Sequence, residues 1–132
     1  MPSDEHVAVI RKGAAVWNAW RAEHSELPDL SRAGLRGLDL SGFNLSRADL
    51  QGADLRGTNL SEANLSEAHL EEANLFKAVL DGADLSGTCL HGAQFLNCAQ
   101  RIGARNWQSA FRDEALACGA SIPERQLSEQ PP

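Results

Sequence analysis

The side chains of this 132-residue chain best able to bind a metal or attack a substrate are His6, His24, His69, His91, Cys89, Cys98 and Cys118. Around them, Asp49, His69 and Cys89 follow one another at intervals of twenty, and Glu71 and His91 repeat that interval. Imidazole, thiolate and carboxylate are the donors that hold zinc and similar ions. A cysteine beside a histidine can also supply a thiolate nucleophile. Neither chemistry carries the short spacing that usually announces it, since there is no CxxC pair, GxSxG, HExxH or phosphate-binding loop. Three cysteines at unrelated spacings argue against a disulfide framework and for a reducing compartment.

Whether such residues meet depends on how the chain is organised. The length supports one small domain. Hydrophobic residues make up 42% but aromatics only 5%, with no Tyr, so the core must be built mainly from Leu and Ala. The formal charge of −6 disfavours direct nucleic-acid contact, which needs a cationic surface. No basic-then-apolar leader follows Met1, and no apolar run approaches the roughly 18 residues of a membrane span, so a cytoplasmic protein without membrane contact is expected.

From Leu30 to Leu90 every fifth residue is Leu, and Phe95 takes the next place in that register. Two residues before these positions stands Ala in nine cases and Thr in two, at Thr58 and Thr88. The residue just before Leu is mostly Asp or Asn. On an α-helix each residue turns about 100°, so every fifth Leu would spiral around all sides and form no apolar face. The Ala and Leu positions are instead two apart, the strand period, which turns both the same way. The extra residue must make a corner. Glycine stands there at Gly37, Gly42, Gly52, Gly57, Gly82, Gly87 and Gly92, where a turn can need φ > 0. Strand and corner alternate, and the expected fold is an all-β solenoid.

Units such as Ala48-Asp49-Leu50-Gln51-Gly52 and Ala63-Asn64-Leu65-Ser66-Glu67 resemble the A(D/N)LXX repeat of pentapeptide-repeat proteins. The resemblance covers residues 28–97 and implies a right-handed quadrilateral β-helix with four units per coil. The repeat would then make about 3.5 coils, rising roughly 17 Å. Residues twenty apart stack in such a coil, with Leu50, Leu55, Leu60, Leu65, Leu70, Leu75, Leu80 and Leu85 as its inner ladder. Asp49, His69 and Cys89 would share an outward column, with Glu71 and His91 beside it. Side chains diverging from a convex wall enclose no substrate, so no catalytic residue, metal ligand or cofactor is assigned and no enzyme is expected.

Solenoid ends expose core and backbone, and so require caps. Residues 1–27 read as an N-terminal cap. One amphipathic helix over Asp4 to Glu23 would start at Ser3 or Asp4, with Ile10, Val16, Trp17 and Trp20 on its apolar half and Asn18 opposite. Its Trp pair would lie over the bulky Leu38 and Phe43 of the first coil. The stretch from Gly13 to Leu30 is similar to leaders of bacterial pentapeptide-repeat proteins. Residues 98–120 form a C-terminal segment in which Trp107, Ala110, Phe111, Ala115 and Cys118 share one helical face, with Asn106 and Gly119 as caps. That helix closes its own chain or joins two chains as a homodimer. Residues 121–132 read as a flexible tail.

Two outward features suit an unidentified protein partner. Phe76 and Leu96 stand twenty apart with Val79 around the corner, an apolar patch where the repeat is normally polar, which either the C-terminal helix folds back over or another chain covers. Glu62, Glu67 and Glu72 replace corner glycines, and Glu71 adds a further acid, which suggests an acidic girdle on a different type of corner. The expected role is therefore a rigid protein-protein interaction or scaffold module. The alternative, which the resemblance raises, is an acidic mimic of B-DNA that engages DNA gyrase, as quinolone-resistance members do. The stacked order Asp39/Asn59, Asp54/Asn74 and Asn64/Asp84 dilutes the charge such mimicry would need.

Overall fold

A computed structural model describes residues 3–111 of the chain. Parallel bridges join Asp29 to Asp49, Gly34 to Asp54, Asp39 to Asn59 and Asn44 to Asn64, one on each of four successive faces. The same register of twenty continues to the bridge between Asn74 and Gln94. Each face contributes a single bridging residue, so the expected short strands are reduced to isolated bridges among the described residues. Neighbouring coils are tied in both directions. The Leu30 N–H donates up to the Asp49 carbonyl at 2.8 Å, and the Asp49 N–H donates down to the Pro28 carbonyl at 2.9 Å.

The leucines from Leu30 to Leu90 and the alanines beside them fill the interior, most with no measurable exposure. Thr58 and Thr88 take alanine places and are equally buried. Each hydroxyl donates to a main-chain carbonyl, at Leu35 (2.8 Å) and Leu65 (2.7 Å), which removes the penalty of burying it.

Every corner uses the same conformation. Between Leu30 and Ala33 a turn closes by a 3.0 Å bond from the Ala33 N–H to the Leu30 carbonyl, with positive φ at Arg32, the pattern of a type II turn. Gly57 sits at φ 66, but Glu62, Glu67, Glu72 and Lys77 sit at φ 59, 57, 60 and 59. The expected second type of corner at the glutamates is thus not found; those residues accept left-handed backbone that glycine would adopt without strain. Where the residue before Leu is Asp or Asn, its side chain further holds the corner. Asn44 Oδ1 accepts from both the N–H (3.2 Å) and the hydroxyl (2.7 Å) of Ser46, and Asp39 does the same with Ser41, as Asn59 does with Ser61.

The N-terminal cap is two helices, α1 over Asp4–Ile10 and α2 over Ala14–Glu23, and the expected single helix is corrected. Gly13 at φ 99 breaks it, so α2 starts in its own phase. That phase exposes Val16 and brings Asn18 against the first coil with Trp17 and Arg21. Ser3 caps α1 by accepting from the His6 N–H. Ile10, Trp17 and Phe43 are buried together, Trp20 nearly so, and Leu38 is partly buried against them. The open edge of the first coil receives its partners from this cap: the Arg11 guanidinium donates to the Gly34 carbonyl, and Arg21 donates to Asn44 and Ser46.

At the other end, helix α3 spans Cys98–Ile102 and stands where the next five-residue unit would lie. Asn97 and Gln100 exchange bonds of 2.7 and 2.8 Å, a reciprocal cap of its first turn. Gln100 also donates to the Leu75 and Ala78 carbonyls, both at 2.9 Å, covering the coil edge. The expected helix from Trp107 is corrected as well. Trp107–Ser109 is one 3-10 turn, Asn106 is left-handed and makes no side-chain cap, and Ala110 is extended. The chain then bridges Phe111 to Cys89, so Trp107 and Phe111 are buried by a last irregular course over the coil. Ala115, Cys118, Gly119 and the tail lie outside the described residues.

Candidate functional site

The register slips at the upper edge of the stack, and that slip creates the exposed aromatic surface. Phe95 has φ 59, so the corner conformation arrives three residues after Gly92 rather than five. Leu96 consequently turns inward and is 6% exposed, while Phe95 turns outward and is 64% exposed. The expected places of the two are exchanged, and Leu96 is corrected from a surface residue to a core one. Phe76, 47% exposed, meets Phe95 edge to face, with ring centroids 5.6 Å apart. The Lys77 ammonium lies 5.4 Å from the Phe76 ring centre. Phe76, Lys77, Phe95, Asn97 and Gln100 border an open groove of about 550 Å³ with Leu96 at its floor. Val79 is also exposed, at 40%.

Glu62, Glu67 and Glu72 occupy three successive corners, so they point from different edges of the coil instead of forming one strip. Each leans toward the glycine stacked above it, at Gly82, Gly87 and Gly92. Glu67 Oε2 lies 3.8 Å from Arg47 Nε, an exposed pair that adds little stability. Glu71 stands apart from them: it is half-buried and turned toward His69, whose Nδ1 is 3.3 Å from its Oε2.

That pair belongs to the outward column considered for metal chemistry. Cys89 bridges to His69 one coil below and is buried, and desolvation together with the Glu71 charge pushes its thiol up to about 11. The donor atoms of His69, Glu71 and Cys89 all lie within 4.8 Å of one another, so these side chains converge, contrary to the expected divergence. A second group, Glu5, His6 and Glu26, has an evident structural use. His6 Nδ1 accepts from the Asp29 N–H at 2.9 Å, which fixes the entry of the repeat, and its ring packs against Trp20. Two features were missed from sequence: the pairing of Phe95 with Phe76, which no spacing marks, and the capping of α3, which Asn97 and Gln100 do mark.

The acidic surface is partly spent on the corners. Hydrogen bonding from Ser31 lowers the Asp29 carboxyl, Ser41 does so at Asp39, and the Arg56 guanidinium holds Asp54 at about 2. Burial raises Asp84, but bonds from Asn106 and Ser86 outweigh it and the net shift is downward.

Comparison with known proteins agrees with this repeat. The family profile described as pentapeptide repeats matches residues 29–66 and 63–98, with 8 copies. A pentapeptide repeat protein from the thylakoid lumen of Arabidopsis thaliana is 20% identical, with 79% of this chain and 82% of that one covered and a TM-score of 0.44. Rfr23, from the cyanobacterium Cyanothece 51142, is 31% identical over 61% of this chain and 54% of its own, with a TM-score of 0.30. QnrB1, a plasmid-mediated fluoroquinolone resistance protein, is 24% identical over 74% and 57%, also at 0.30. The chain thus spans little more than half the length of the latter two. A search of curated protein sequences finds no match.

Proposed function

The chain belongs to the pentapeptide-repeat family, and from that premise we propose that it is a non-catalytic module that presents a rigid surface to a protein partner. The observation that carries this reading is the exposed Phe76–Phe95 pair on a backbone locked coil to coil by hydrogen bonds. An apolar surface held in place loses little conformational freedom on association, so more of its burial appears as affinity. Val79, exposed on the next face, and the acids Glu62, Glu67, Glu71 and Glu72, which point from other edges of the coil, are further contact points in this reading. In this reading the coil is right-handed, makes about 3.5 turns, and works in a bacterial cytoplasm without direct nucleic-acid or membrane contact. A homodimer through the C-terminal segment, residues 98–120, is a further part of the proposal.

The test is site-specific photo-crosslinking from position 76 or 95 in the native cell, with Phe76→Glu and Phe95→Glu as paired variants. One protein adduct that both substitutions abolish, with circular dichroism unchanged, supports the reading; adducts indifferent to them defeat it. Light scattering gives the mass and decides the dimer. A gyrase supercoiling assay at micromolar protein examines duplex mimicry, where inhibition would replace the aromatic surface with the acidic one as the working face.

A further inference from the structure

We propose that His69, Glu71 and Cys89 form a binding site for one divalent transition ion of the zinc class. This inference is independent of the partner surface described above.

The backbone sets the three residues where such an ion needs them. His69 and Glu71 flank the inward Leu70, so both project from the outer side of one coil, and Cys89 is bridged directly to His69 from the coil above. The ladder bonds on either side, from the Cys89 N–H to the Ala68 carbonyl (2.9 Å) and from the Leu70 N–H to the Cys89 carbonyl (2.8 Å), hold that juxtaposition. The His69 Nδ1 to Glu71 Oε2 separation of 3.3 Å is already about the edge of a tetrahedron built on zinc bonds of roughly 2.0–2.3 Å. The three donors lie within 4.8 Å of one another, so rotamer adjustments of about 1 Å would close the set.

A second observation concerns what is lacking a partner. Glu71 Oε1 is buried and makes no hydrogen bond among the described residues, although Oε2 faces the imidazole. A buried carboxylate oxygen left bare costs free energy that a cation at this point would recover. One nitrogen, one oxygen and one sulfur donor favour an ion of intermediate softness over magnesium or calcium, which prefer all-oxygen shells. Three protein ligands leave a fourth position for water or an exchangeable group. Because the ligands come from two coils, a bound ion would also link one coil to the next.

The experiment uses the full, untagged chain carrying Cys98→Ala and Cys118→Ala, which leaves Cys89 as the sole thiol. Co²⁺ is titrated as the spectroscopic probe, and Zn²⁺ then competes for the site. The expected result is one equivalent of Co²⁺ with a sulfur-to-cobalt charge-transfer band that Zn²⁺ abolishes, and a melting temperature that rises with Zn²⁺. Cys89→Ala should remove the band, and Glu71→Gln, which keeps size and shape, should weaken affinity at least tenfold with an unchanged circular dichroism spectrum. Absence of the band in the parent protein, or binding that Glu71→Gln leaves intact, would overturn the proposal.

Discussion

The indole N–H of Trp17 donates to the Asn44 carbonyl across 2.7 Å, joining the second cap helix to a coil edge 27 residues away. The same ring packs on Phe43, with centroids 6.4 Å apart, so one side chain seals both the apolar end of the stack and its open backbone. Trp17→Ala should lower stability by about 3–5 kcal/mol in urea unfolding, as for other buried aromatics. Trp17→Phe keeps most of the packing and loses the bond, and should lose about 1 kcal/mol. Equal losses for the two would mean that the bond, not the ring, dominates.

Leu65 lies in the middle of the ladder with no exposure. Leu65→Ala should destabilise by about 2–5 kcal/mol, since rigid neighbours cannot collapse into the space. Leu65→Asp buries an unpaired charge and should leave no folded protein by circular dichroism. A folded Leu65→Asp variant would contradict the inward register itself.

Corner substitutions should have opposite signs at positions with the same backbone. Gly57 has open space around it and φ 66, so Gly57→Ala isolates the left-handed penalty and should lose about 1 kcal/mol. Glu72, at φ 60, should gain a similar amount as Glu72→Gly. Thermal melts of the two variants check this, and a destabilised Glu72→Gly would show that its side chain matters more than its backbone.

Acid should weaken the fold through its carboxyls. Asp54 is held at about 2, against an ordinary 3.8, first by the Arg56 side-chain bond, and Asp29, Asp39 and Asp84 are lowered too. Groups with depressed folded values stabilise above the unfolded value and lose that contribution as pH falls through the folded one. Urea midpoints should therefore be flat above about pH 5 and decline between about 4 and 2. Asp54→Asn should make that decline shallower; an unchanged slope would remove Asp54 as a contributor.

Much of this architecture is legible because the inward set repeats without interruption from Leu30 to Leu90, a period that fits a β-solenoid and not a helix, while the four sides come from the family resemblance. The corner hydrogen bonds are less so. Asp39-Leu40-Ser41 and Asn59-Leu60-Ser61 carry the right types, but a polar residue before Leu reads equally well as a solvated surface. The Phe95/Leu96 exchange is illegible because it follows from where α3 replaces a unit, a tertiary decision that overrides the local period. Gly13 could have marked the helix break, yet glycine inside an amphipathic pattern is often tolerated. Convergence of His69, Glu71 and Cys89 depends on rotamers and could not come from spacing.

The coil counts its interior and its exterior in different units. Deleting one block, such as Ala78 to Gly82, would keep a leucine facing inward at every later step, because the lining repeats with each block. The outer columns would not survive, for everything beyond the cut would rotate by a quarter turn. His69 would then face the former neighbour of Cys89, and Phe76 would lose Phe95. Descent by loss or gain of single blocks can thus preserve a foldable tube while reshuffling every feature painted on its walls, and only whole-circuit changes carry those features along intact.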